Sequence, residues 1–128
     1  MLLQPVIHYS SHLLVPLLIA WIGFRKDWKK VYLILLATML VDLDHLLANP
    51  IFQADRCSIG FHPLHTGWAV LVYIGMLFFR RPWNVIGIGL LWHMATDLGD
   101  CLMTHHHCPT CLEGQAVYPL IEVLGSYF

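Results

Sequence analysis

Four apolar stretches, each close to the length that crosses a bilayer, divide this chain almost from end to end: residues 6–24, 31–48, 64–79 and 84–103. About 20 apolar residues in a helix span the hydrocarbon of a membrane. The connectors between the stretches are RKDWKK, the longer ANPIFQADRCSIGFH and the tight RRPWN. A chain of 128 residues has room for one ordinary domain. With 58% apolar and only 12% charged residues, it lacks the polar surface that a water-soluble domain of this size needs. The pattern predicts an all-α integral membrane protein, a single domain over residues 1–128 built as a compact bundle of four transmembrane helices. The tail GQAVYPLIEVLGSYF is interrupted by Pro119 and Gly125 and predicts a short interfacial or re-entrant helix over residues 115–127. The first 24 residues read as a retained span, because the cationic cluster follows the apolar run instead of preceding it.

Charge orients the bundle. Arg25, Lys26, Lys29, Lys30, Arg80 and Arg81 all lie in the linkers after the first and third stretches, whereas the opposite side carries Arg56. The positive-inside rule then places those two linkers in the cytoplasm, with both termini and the 49–63 loop outside. Net charge is −1 with no basic field, which argues against a nucleic-acid partner. Cys57, Cys101, Cys108 and Cys111 all fall on the outer side, where disulfides persist. The expected pairing is Cys57 with Cys101 and Cys108 with Cys111, two other arrangements remaining open. The CPTC sequence also suits a structural zinc site or a redox-active pair.

Histidine is the outlier, with nine copies against seven Lys and Arg together. With sidedness assigned, the polar residues of the apolar stretches gather at one depth. His8 and His12 are four apart on one helical face, and Asp42 and His45 are three apart at the end of the second stretch. As an α-helix this run turns Asp44 roughly 200° from Asp42, away from the shared face. His62 and His65 flank the start of the third stretch, with Pro63 suited to a first helical turn. His93, Asp97 and Asp100 follow at i, i+4 and i+7 in the fourth. The inner half has no comparable set, which argues against a channel or uptake pathway. Each histidine alone reads equally well as an interfacial or hydrogen-bonded residue, and the HHH run at 105–107 as a polar connector. Together they match the way helical bundles build metal sites, from imidazoles and carboxylates on facing helices. The candidate ligands are His8, His12, Asp42, His45, His62, His65, His93 and Asp97. Asp44 and Asp100 are the candidate proton acceptors, Asp44 being equally suited to orienting a ligating histidine. Gly67, Gly75, Gly87, Gly89 and the pair Ala95 and Gly99 read as close helix contacts or an oligomerisation face.

The order DLDH, HPLHTG and HMATDLGD resembles the small bacterial inner-membrane proteins grouped as predicted membrane-bound metal-dependent hydrolases, some of them regulated by the LexA repressor. On that resemblance the early histidine is His12 or His8, the Asp-x-Asp motif is Asp42 with Asp44, and the late pair is His93 with Asp97. The middle motif departs, since Thr66 here follows His65. The block LATMLVDLDHLLANPIF…RCSIGFHPLHT resembles, over most of the chain, a compact uncharacterised family of bacterial membrane proteins. The resemblance implies a multi-pass protein of the bacterial inner membrane that depends on metal.

The expected function is a membrane-embedded metal-dependent hydrolase acting at the outer leaflet on a lipid or lipid-linked substrate, with a phosphoester as the preferred bond. Mixed His and Asp ligands suit Zn first, with Mn or Fe as alternatives, and one or two ions. Two other readings compete. One is a non-catalytic metal-binding membrane protein, such as a sensor, chaperone or scaffold. The other is a thiol oxidoreductase that uses CPTC.

Overall fold

The structure, a computed structural model, describes residues 3–51, 53 and 56–127. Its α-helices are α1 (Leu3–Gly23), α2 (Trp28–Ala37), α3 (Gly67–Met76), α4 (Trp83–His107) and α5 (Tyr118–Gly125). Segments of 3-10 helix occupy Thr38–Leu47, Pro63–His65 and Pro109–Leu112, and the described residues contain no strand. The central element is α4, against which the other four helices pack.

Two helices, α1 with 21 residues and α4 with 25, are long and apolar enough to cross a membrane by length and composition. Four such helices were expected, and the second and third stretches account for the difference. Each keeps only 10 residues of α-helix, about 15 Å at 1.5 Å per residue. The second leaves α geometry at Thr38, whose hydroxyl donates to Leu35 O at 2.6 Å. The third starts late because Pro63 opens a separate 3-10 turn. Thr66 then caps α3, its Oγ1 accepting from Ala69 N at 3.4 Å. The tail forms α5, which is shorter than expected and has Pro119 in its first turn.

The buried positions explain the arrangement. On α1 they are His12, Pro16 and Ala20; on α4 the row runs Val85, Gly89, His93, Asp97 and Cys101, again four apart. Spacing of four keeps a row on one face of an α-helix. The second stretch begins the same way with Val31 and Leu35, then changes to spacing of three with Thr38, Val41 and Asp44. A 3-10 helix has three residues per turn, so residues three apart eclipse. Asp42 and His45 form a second, half-buried row, while Leu40, Leu43 and Leu46 form a third that is exposed. Continued α geometry would have carried the inward row through Asp42 and His45. The 3-10 segment turns Asp44 inward instead, and at 5% exposure it is buried.

Close packing of α4 against two neighbours, the 3-10 segment and α3, accompanies this register. A Cβ on Gly89 would stand 2.6 Å from Thr38 Oγ1, and one on Gly87 would stand 2.9 Å from Tyr73 O. Gly67, Gly75 and Gly99 have open space instead and make no close helix contact within the chain.

Apolar clusters close both ends. At one end Ala20, Val31, Leu35 and Val85 pack together. The cationic linkers meet there, Arg81 Nη1 reaching Asp27 Oδ2 at 3.4 Å. At the other end Cys57, Cys101, Leu112, Val117 and Ile121 form a second core. Both disulfides belong to that end, Cys57–Cys101 and Cys108–Cys111, the pairing expected from the sequence. Along α4 the row from Gly89 to Asp97 runs between the two clusters.

Candidate metal centre

Between those clusters the helices converge on four polar side chains. Asp42 comes from the 3-10 segment, His65 from the Pro63–His65 turn, and His93 and Asp97 from α4. His65 Nε2 lies 3.3 Å from His93 Nε2, 3.5 Å from Asp42 Oδ1 and 3.1 Å from Asp97 Oδ2. His93 Nε2 lies 3.1 Å from Asp42 Oδ1 and 3.4 Å from Asp97 Oδ2. A tetrahedron of ligands about 2.0–2.1 Å from a zinc ion has edges of about 3.3–3.4 Å. The five separations that involve an imidazole are therefore close to those of a coordination shell, and all four donor atoms lie within 4.8 Å of one another. They also converge as ligands do: Asp97 Oδ2, although 3.1 Å from an imidazole nitrogen, has no aligned hydrogen-bond partner. His65, His93 and Asp97 are buried, while the Asp42 side chain is 41% exposed.

Asp44 braces this group from behind. One oxygen accepts from Leu64 N at 2.9 Å and faces His65 Nδ1 at 3.1 Å. The other faces His45 Nδ1 at 3.1 Å. A carboxylate on the far nitrogen of a ligating histidine fixes its tautomer and ring orientation. With both oxygens engaged, Asp44 holds His65 in place and is poorly disposed to take a proton from a substrate or water. Tyr73 OH donates to Leu64 O at 2.8 Å and pins the same turn.

Burial lowers the His62 imidazole from its ordinary value, and the neighbouring His45 ring lowers it further. His45 and His62 stack face to face, ring centres 3.8 Å apart, and His45 Nε2 meets Ser58 Oγ at 3.0 Å. Neither contributes an atom to the four-ligand group. They form, with Asp44, a separate cluster alongside it. The sequence expectation had paired Asp42 and His45 as inward ligands, and the 3-10 turn separates their roles.

His8 and His12 approach Asp97 from α1 and form a third cluster with it. His12 is 3% exposed, with Nε2 3.7 Å from Asp97 Oδ1. His8 Nδ1 stands 3.8 Å from Asp100 Oδ1, and Gln4 Nε2 donates to that same oxygen at 3.0 Å. Gln4, Asp100, Thr104, Arg56 and His107 line a cleft of about 490 Å³. Gln4, Ser58 and Tyr73 escaped the sequence reading because a lone amide, hydroxyl or phenol in an apolar chain carries no metal-ligand signature. At 1.5 Å per residue, His93 lies about 15 Å and Asp97 about 21 Å along α4 from Trp83. The centre thus sits near the middle of α4.

A family model matches residues 2–104, a segment that contains every residue of these three clusters. The chain belongs to DUF6122, a family of unknown function. No curated protein and no solved structure matches it. The DUF6122 segment includes Cys57 and Cys101 and ends before Cys108 and Cys111.

Proposed function

We propose that this chain is a membrane-embedded, metal-dependent hydrolase that cleaves a phosphoester of a lipid or lipid-linked substrate. The observation that carries the reading is the spacing of the donor atoms of Asp42, His65, His93 and Asp97: each imidazole Nε2 lies 3.1–3.5 Å from the other and from both carboxylates. Charge supports it: two carboxylates and two neutral imidazoles around a divalent cation sum to zero, the state least costly in a low-dielectric interior. A bound divalent ion lowers the pKa of coordinated water and polarises a phosphoryl oxygen. The chain's own residues orient the substrate and accept the proton. Asp100, half-buried beside the cleft and held by Gln4, is the side chain placed to take that proton. Water adds across the P–O bond, the alcohol leaves with a proton, and a phosphate monoester remains.

The membrane setting rests on the inverted polarity of the bundle. His12, His65, His93 and Asp97 are inside, while Leu40, Leu43, Trp68 and Phe78 are outside. In this reading α1 and α4 cross the bilayer. Trp28–Leu47, ten residues of α-helix continued by ten of 3-10, makes a third path of about 35 Å at 1.5 and 2.0 Å per residue, and α3 lines the inner half. The cationic linkers lie in the cytoplasm and the disulfide end faces the periplasm of a bacterial cell.

One observation favours a second reading. Four protein ligands fill a tetrahedral shell, as structural zinc sites do, which suits a non-catalytic metal-binding protein. Metal analysis of detergent-purified protein beside His93→Ala tests the ion itself: bound metal in the wild type and its loss in the variant are expected. Folded wild type that binds no Zn, Mn or Fe would end both readings. Phospholipid vesicles incubated with the metal-loaded protein then separate the two. Release of a phosphate monoester or free headgroup, abolished in Asp100→Asn, supports the hydrolase, and stable metal without product supports the scaffold.

A further inference from the structure

The four-ligand group leaves part of the polar interior unused. Asp97 presents its two oxygens in different directions: Oδ2 to His65 and His93, and Oδ1 to His12 Nε2 at 3.7 Å. That last distance exceeds a hydrogen bond. His12 Nε2 is buried without a hydrogen-bond partner, and so is His8 Nδ1. Buried polar atoms almost always find partners, so two unmatched imidazole nitrogens, each nearly 4 Å from a carboxylate oxygen, call for one. Each of His8, His12 and Asp97 offers a donor atom, all within 4.8 Å of one another.

We propose that a second divalent cation binds between His8, His12 and Asp97, so that Asp97 bridges two ions. This inference rests on the four-ligand reading for its first ion. The His12 and His93 rings lie side by side, 4.5 Å apart between centres, on either side of Asp97 in the contacts they make with its two oxygens. The two positions differ in what they leave open. The first has four protein ligands, whereas the second has three and so keeps a free coordination position, the mark of a catalytic site. Asp100 stands 3.8 Å from His8 and lines the cleft together with Gln4, Arg56 and Thr104. Labour is thereby divided: the first ion organises the bundle, and the second, supplied from α1, receives the water and the anionic group of the substrate.

The test is metal stoichiometry of the full chain in detergent, equilibrated with buffered free Zn(II). Two equivalents are expected in the wild type and one in both His12→Ala and His8→Gln, the retained ion serving as proof that each variant is folded. One equivalent in the wild type, unchanged in the variants, would overturn the second site and leave the four-ligand centre standing. No metal in folded wild type removes both. Loss of both ions from folded variants would mean one merged centre and would also overturn the proposal. Co(II) substitution of the wild type gives an answer that needs no variant. Carboxylate-bridged ions should lower the electron paramagnetic resonance intensity per cobalt between one and two equivalents, and strictly additive intensity counts against the bridge.

Discussion

A single carboxylate, Asp44, decides how well His65 can serve. It is buried, holds His65 Nδ1 and the Leu64 amide together, and so fixes the ring before any ion arrives. Asp44→Asn keeps the shape but removes the charge. It should weaken metal binding about 10–100-fold, the usual cost of losing such a partner, as read by competition with a chromophoric chelator. Histidine and carboxylate ligands bind a metal without their protons, so affinity should rise with pH wherever these groups are protonated, about tenfold per unit for each displaced proton. Calorimetry in buffers of different ionisation enthalpy should detect that proton release. The nine residues of the three clusters stand out in the sequence by residue type. Their grouping does not, because ring orientation and the choice between Asp42 and Asp44 depend on helical rotation that residue type does not encode.

That rotation belongs to the element, and Thr38 is where it changes. Along Leu35, Thr38, Val41 and Asp44 the inward row advances by three, and a chain read as continuous α-helix loses the phase within two turns. The rows four apart on α1 and α4 were readable because nothing interrupts those helices. The second stretch was not, since its switch depends on a tertiary contact, Thr38 against Gly89. Gly89→Ala should test it. The new methyl would meet Thr38 at 2.6 Å, forcing the segment away from α4 at a cost of about 1–3 kcal/mol, measured by denaturant unfolding in detergent. Gly75→Ala, with nothing within 4 Å, should leave stability unchanged or slightly raised. The short α3 has a related cause: the apolar run through 64–79 looked continuous, but Pro63 and the Thr66 cap reserve its first residues for the His65 turn.

On the scale of the whole molecule, the pattern of apolar stretches identified an all-helical chain, and the cysteine pairing expected from it anticipated both disulfides. What it could not supply was depth, because the centre's place near the middle of α4 follows from where the apolar clusters close the two ends. The Cys57–Cys101 bond has a consequence of its own. Joined across a sequence separation of 44, those two cysteines make residues 57–101 a closed covalent loop. His65, His93 and Asp97 lie within the loop, while His8, His12 and Asp42 lie on the free arm that leads into it. Cutting the backbone at a specific protease site inserted between Arg80 and Arg81 should therefore leave a nicked protein of undivided mass. Only a reductant should part it into two pieces, one carrying His65 and the other His93 and Asp97. Topologically, three of the four side chains of the centre belong to a ring, and the fourth, Asp42, is carried in by a tether.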